Sequence, residues 1–184
     1  LTTGILALQG AIDAHKRHLT KIGEPCISVR SELELNSVDR LIIPGGESTT
    51  MLKLIKKENL FDSLKAFAET KPVWGVCAGA ILLAKQVINP EQESLGVANI
   101  KATRNFYGSQ LQSFSATVKI EKIAKEITCD FIRAPYLEPM NSTVEVLAWH
   151  EKQAVLLQQE NILLCSFHAE LNEESNLHQY FLHI

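Results

Sequence analysis

Hydrophobic residues in this chain gather into short runs, most of them closed by glycine or proline. Residues 4–8, 25–29 and 38–43 each read as a buried strand, and a fourth run reaches Gly75. Amphipathic stretches lie between them. Residues 11–22 have helical spacing and end at Gly23. A second helix is predicted to start near Ser48 or Thr49, both suitable N-caps, and to run to about Lys57. Residues 60–69 read as a third helix, and a fourth is predicted from Cys77 to about Gln86. Fully apolar strands alternating with helices predict a parallel sheet covered on both faces.

The second half has a different pattern. Residues 116–120, 143–149, 154–158 and 162–166 are β-rich and separated by short turns, which predicts antiparallel strands added to the sheet. Residues 173–182 read as a closing helix, and 89–94 as a loop rather than a boundary. With no repeat and no linker, one domain over residues 1–184 is expected.

Composition narrows the function. Hydrophobic residues make up 46% and charged residues 21%, which is ordinary for a globular protein. A net charge of −3 provides no basic field, so neither nucleic acid nor an anionic membrane is an expected partner. No apolar run is long enough to span a bilayer, and no signal peptide is visible. Cys26, Cys77, Cys129 and Cys165 are far apart, without a Cys-x-x-Cys pair. That argues against a zinc ribbon or a thioredoxin-like motif and points to the cytoplasm.

In parallel sheets, ligands bind beyond the carboxyl ends of the strands. Gln9-Gly10, Gly45-Gly46-Glu47-Ser48 and Gly75-Val76-Cys77-Ala78-Gly79 all fall there. Cys77 sits where a strand must turn sharply into a helix, with small residues on either side. This is the shape of a nucleophile elbow with sulfur in place of oxygen, and it predicts a strained, exposed thiol. A helix N-terminus favours the thiolate, and the Ala78 N–H is positioned to serve an oxyanion. The alternative is a cysteine that simply packs as a small hydrophobe.

A nucleophile needs a base. His15 and His18 on the first helix read as an exposed face, as do His178 and His183 near the end. His150 follows Trp149 at a turn and has no evident partner. His168 differs because it ends an apolar strand and Glu170 lies two residues on, on the same side of extended backbone. A carboxylate there can orient one ring nitrogen while the other faces a thiol. The alternative is a surface His and Glu at the start of a loop.

Together these motifs resemble class I, triad-type glutamine amidotransferases, and within them the PdxT family of pyridoxal 5′-phosphate synthase glutaminase subunits. The resemblance spans the chain. It rests on Leu6-Ala7-Leu8-Gln9-Gly10, on Pro44-Gly45-Gly46-Glu47-Ser48-Thr49-Thr50 and on the Cys77 elbow. Arg104-Asn105-Phe106-Tyr107-Gly108, Phe131-Ile132-Arg133-Ala134-Pro135 and Phe167-His168-Ala169-Glu170-Leu171 complete it.

The resemblance implies a flavodoxin-like three-layer sandwich that hydrolyses L-glutamine to glutamate and ammonia. It implies a Cys77–His168–Glu170 triad, with Gly46, Glu47, Ser48, Arg104, Ile132 and Arg133 at the glutamine site, the last two largely through backbone. Gly46 and Ala78 would supply the oxyanion hole. The implied partner is the (β/α)8-barrel synthase subunit. No metal or cofactor is implied, since pyridoxal phosphate is the pathway product. Members often need the partner to assemble the oxyanion hole, which Gly45-Gly46 would permit.

Two residues depart from the family pattern. Ala169 replaces a proline, which implies a less constrained orienter, and Val76 replaces a threonine without removing a catalytic group. Two other readings remain: a DJ-1/PfpI-like cysteine hydrolase or chaperone, and a non-catalytic partner of the synthase. The Gly-Gly-Glu-Ser loop and the His168–Glu170 pair favour the amidotransferase.

Overall fold

In the first half apolar strands alternate with amphipathic helices as predicted, with one short helix, Glu32–Asn36, between the second and third strands where none was expected. The computed structural model describes residues 1–106 and 113–184, so Tyr107 and Gly108 of the Arg104 motif lie outside the described residues. In chain order the first elements are β1 (Thr3–Leu6), α1 (Ile12–Lys21), β2 (Cys26–Val29), α2 (Glu32–Asn36) and β3 (Arg40–Ile43). They continue with α3 (Ser48–Lys57), α4 (Phe61–Thr70), β4 (Val73–Val76), α5 (Ala78–Leu83), β5 (Ala84–Ile88) and β6 (Ala98–Thr103). The rest are β7 (Ser113–Ile120), β8 (Lys125–Ile132), β9 (Tyr136–Pro139), β10 (Glu145–His150), β11 (Gln153–Gln159), β12 (Ile162–Cys165) and α6 (Asn176–Phe181).

The central sheet runs β10-β11-β12-β4-β3-β1-β2. From β12 to β2 every pairing is parallel, while β10 and β11 join antiparallel at one edge. Alternate residues along each strand enter different cores. Leu6, Leu41, Ile43, Val73 and Leu164 pack with Met51, Ile55, Leu64 and Leu82 of α3, α4 and α5. Ile5, Ile42, Trp74, Val76 and Leu163 pack on the other side with Leu19 of α1 and Leu177 and Phe181 of α6. This is a mostly parallel sheet between two covering layers, as expected for the flavodoxin-like sandwich.

The second half corrects several expectations. Residues 162–166, expected as an added antiparallel strand, form β12 and pair parallel with β4, so only β10 and β11 join through antiparallel pairings; β7 and β8 form a separate ribbon, and β5-β6-β9 form a third sheet. The ribbon buries Val118, Ile120, Ile127 and Phe131 against the Trp74 face, where a helix was expected to do the covering. The helix after Cys77 stops at Leu83 rather than Gln86, because residues 84–88 pair with β6. The cap of α3 is Glu47 rather than Ser48 or Thr49, and its carboxylate accepts from the Thr49 and Thr50 N–H groups. Two side chains that are themselves helical cannot cap as well as the extended residue before them.

Candidate active site

β4 ends at Val76 and α5 begins at Ala78, so the turn between them has one residue, Cys77. Its backbone is strained, with φ 50° and ψ −103°. A non-glycine residue there costs on the order of 1–3 kcal/mol, which the surroundings must offset. The Cys77 N–H donates to the Cys165 carbonyl at 2.8 Å, and its own carbonyl accepts from the Ile81 N–H at 3.1 Å. Close packing needs the flanking glycines. A Cβ on Gly75 would lie 2.7 Å from the Gly79 carbonyl carbon, and one on Gly79 would lie 2.0 Å from the Ile43 carbonyl oxygen. The strained elbow read from the sequence is present. The expected exposure is not: Cys77 is only 6% exposed and faces a cavity.

His168 follows β12, the parallel neighbour of β4, so strand pairing alone brings it beside the elbow. Its N–H donates to the Asp130 carbonyl at 2.8 Å, which fixes the backbone. Its ring Nδ1 lies 2.6 Å from Glu170 Oε1, and Cys77 is near enough to raise its pKa. Burial works against a charged ring, but the Cys77 and Glu170 contacts outweigh it and hold the His168 pKa up to about 10. Burial likewise opposes a charged Glu170, yet the bond from His168 keeps that carboxyl below its ordinary value. The three residues thus stand in the order that a nucleophile, a base and its orienter would require.

The cavity beside Cys77 holds about 250 Å³, small enough for a compact polar molecule. Gly46, Glu47, Ser48, Cys77, Ala78, Arg104 and Arg133 line it, joined by Ile81, Asn105 and Pro135. Ile132 does not line it; its side chain is 40% exposed at the end of β8. Arg104 Nη2 donates to Thr49 Oγ1 at 3.2 Å and lies 3.7 Å from Glu47 Oε1. Burial works against a charged Glu47, but its bonds from Thr50 and Thr49 together outweigh it and pull its pKa to about 2. Ser48 Oγ donates to Gln92 Oε1 at 3.0 Å.

The Gly45–Gly46 peptide is held from the β1 side. The Gly45 carbonyl accepts from the Ala11 N–H at 3.0 Å, and Gln9 Oε1 accepts from the Glu47 N–H at 2.9 Å. A trans peptide points its carbonyl and N–H in opposite directions, so the Gly46 N–H is directed away from the β1 loop. A Cβ at Gly10 would meet the Gly45 oxygen at 2.0 Å, so this contact requires glycine there.

The histidines contain the largest error of the sequence reading. His15, His18 and His178 are buried, not exposed. Ile12, His15, Leu19 and Ile22 form one helical stripe in the sequence, and that periodicity marked His15 as inward-facing. Only His183 is exposed, and His150 packs its ring near Phe114 and Phe131. Ile81 was also missed, and nothing in its sequence context distinguishes it from core. Among the described residues no group of His, Cys, Asp and Glu is arranged to hold a metal ion. No described helix is long and apolar enough to cross a membrane.

Comparison with known proteins matches residues 5–184 to a family described as the SNO glutamine amidotransferase family. The chain is 46% identical over 182 residues to the pyridoxal 5′-phosphate synthase subunit PdxT of Thermosipho africanus, covering 98% of this chain and 97% of the relative. It is 41% identical over 181 residues to the same-named subunit of Oenococcus oeni, covering 98% and 95%. A solved structure described as a glutamine amidotransferase superposes with a TM-score of 0.92 at 40% identity, over 98% of this chain and 97% of the other. PurLQS from Thermotoga maritima, at 14% identity and a TM-score of 0.76 over 99% and 97%, shares the fold.

Proposed function

The chain belongs to the SNO glutamine amidotransferase family, and from that premise we propose how its site works. It is the glutaminase subunit of pyridoxal 5′-phosphate synthase, built as one domain over residues 1–184 and working in the cytoplasm. Its substrate is L-glutamine, and its partner is the synthase subunit that consumes the ammonia. The observation that carries this reading is the placement of Cys77, His168 and Glu170: β12–β4 pairing sets His168 beside the elbow, and His168 Nδ1 lies 2.6 Å from Glu170 Oε1.

Cys77 gives its proton to His168 Nε2, and the resulting thiolate attacks the side-chain amide carbon of glutamine. The amide oxygen takes up the negative charge, which the Ala78 and Gly46 N–H groups stabilise. The imidazolium then passes its proton to the departing nitrogen as the C–N bond breaks. Ammonia leaves and a thioester remains. His168 next takes a proton from water as that water attacks the thioester. Collapse of the second tetrahedral state expels the thiolate and yields glutamate. Glu170 keeps the Nδ1–H tautomer of His168, so that Nε2 faces sulfur throughout.

The cavity charges suit an amino acid. The Arg104 guanidinium is a fork matched to the substrate α-carboxylate, and Glu47 offers a negative charge nearby for the α-ammonium. Arg133, with φ 47°, contributes from the adjoining turn. The oriented His168 and this paired charge favour the amidotransferase over the DJ-1/PfpI reading. The test is glutamate release from L-glutamine by the purified chain with and without the synthase subunit. Turnover with the partner is expected; none in either condition would overturn the assignment.

A further inference from the structure

Behind the triad lies a buried histidine cluster that the mechanism above does not use. His15 of α1 is fully buried. Its Nδ1 lies 2.9 Å from His178 Nε2 of α6, and its Nε2 faces Glu170 Oε2 at 3.8 Å. Glu170 Oε1 is taken by His168. Its Oε2 is buried without a hydrogen-bond partner, as are His15 Nε2 and His178 Nδ1. The groups facing His15 are Glu170 and His168 from beyond β12, His178 from α6, His18 one turn along α1, and the edge of Trp74 in β4.

Only one tautomer fits this geometry. If His15 carried its proton on Nδ1, its bare Nε2 would face a buried carboxylate oxygen, lone pair to lone pair. His178 would then have to accept at Nε2 and leave a buried N–H at Nδ1 with no acceptor. Both arrangements are costly away from water. With the proton on Nε2, His15 presents a donor to Glu170 and accepts from His178 Nε2–H. Only the His178 Nδ1 lone pair is then unused. Burial holds the His15 pKa down to about 4, so the neutral form is the one that faces Glu170.

We propose that His15 is a positioning residue of the triad: its Nε2–H faces Glu170 Oε2 and fixes the carboxylate whose other oxygen orients His168. At 3.8 Å the contact is an ion–dipole attraction rather than a hydrogen bond, and it is directional because the ring is held from behind by His178. His18 complements it by donating from Nε2 to the Glu170 main-chain carbonyl at 3.1 Å. Carboxylate and backbone of the orienter are thus both gripped from α1.

The inference rests on the glutaminase reading but is separable from it. Two substitutions divide the two ring nitrogens. His15→Gln places an amide donor near the Nε2 position, whereas His15→Asn places an amide oxygen near Nδ1, where it still accepts from His178 Nε2–H, and leaves Glu170 without a donor. In the complex with the synthase subunit, His15→Asn is expected to lower kcat about tenfold with KM unchanged. His15→Gln is expected to retain most of the rate. The acid limb of the kcat/KM profile moves upward in His15→Asn, because Glu170 loses a group that favours its charge.

His15→Asn turning over like the unsubstituted chain, or His15→Gln doing no better than His15→Asn, would overturn the proposal. A variant-free measurement guards against misfolding. In the unsubstituted chain, long-range 15N–1H spectra of labelled histidine are expected to show His15 protonated at Nε2. Protonation at Nδ1 would overturn the proposal whether or not glutamine is hydrolysed.

Discussion

The His168 imidazole lies over Gly45 so closely that a Cβ there would stand 2.5 Å from Cε1 and 3.0 Å from Nδ1. The obstacle is a side chain, which can move, so the fold can absorb an added methyl while the base cannot keep its place. Gly45→Ala is expected to fold with near-normal stability and to lose at least about tenfold in kcat, since displaced groups act poorly. Steady-state kinetics beside a denaturant melt checks this. A folded variant with full kcat would contradict it.

Gly79 is the contrasting case. There the added Cβ meets the Ile43 backbone, 2.0 Å from oxygen and 2.8 Å from carbon, and neither strand nor helix can yield locally. Gly79→Ala is expected to destabilise the whole fold by about 1–3 kcal/mol or more, as overpacking does. Urea unfolding measures it, with loss of activity following loss of structure.

Ala169 opens a one-turn 3-10 helix, and His168 before it has φ −91° and ψ 86°, outside the helical region. Both are compatible with proline at position 169. Ala169→Pro is expected to stabilise the chain by about 0.4–1 kcal/mol through the unfolded state, without loss of kcat. A lower urea midpoint would show that the buried Ala169 pocket cannot take the ring.

The proposed triad gives stability a pH dependence on both sides. The His168 pKa is raised from 6.5 to about 10, so its contribution is full below pH 6.5 and is lost as pH rises toward 10. The Glu170 pKa is lowered, so its contribution is present above about 4.5 and is lost as pH falls through the folded value. Cys77 is one of the groups holding His168 up. In Cys77→Ala the fall in unfolding free energy between pH 7 and 10 is therefore expected to be shallower. Equal slopes in the two proteins would remove Cys77 from that role.

The strands of the central sheet were legible because each is a short apolar run closed by a turn residue, as Ile43 is by Pro44 and Gly45. The elbow was legible because Gly75 and Gly79 bracket Cys77, and both prove to be places where a Cβ would strike neighbouring backbone. His168 and Glu170 were legible only in company with Cys77, as a pair two residues apart at a strand end, and β12–β4 pairing places that strand end beside the elbow. Residues 84–88 were not. Ala84, Lys85 and Gln86 are good helix formers, and pairing with β6 overrides that propensity. The strands β6 and β8 were overlooked although Ala98-Asn99-Ile100-Lys101-Ala102-Thr103 and Ile127-Thr128-Cys129-Asp130-Phe131 alternate with period two, and β9 is too short to show a period. The buried histidines failed for another reason. His15 and His18 were read by residue type, as polar, when the stripe from Ile12 to Ile22 places His15 inside.

The central claim is that Cys77 is the nucleophile of a glutaminase. Its most direct test is glutamate release from L-glutamine by the unsubstituted chain and by Cys77→Ala, each with the synthase subunit present. Turnover by the unsubstituted chain and none by a folded Cys77→Ala is the expected result. Turnover by Cys77→Ala at the unsubstituted rate would contradict the account.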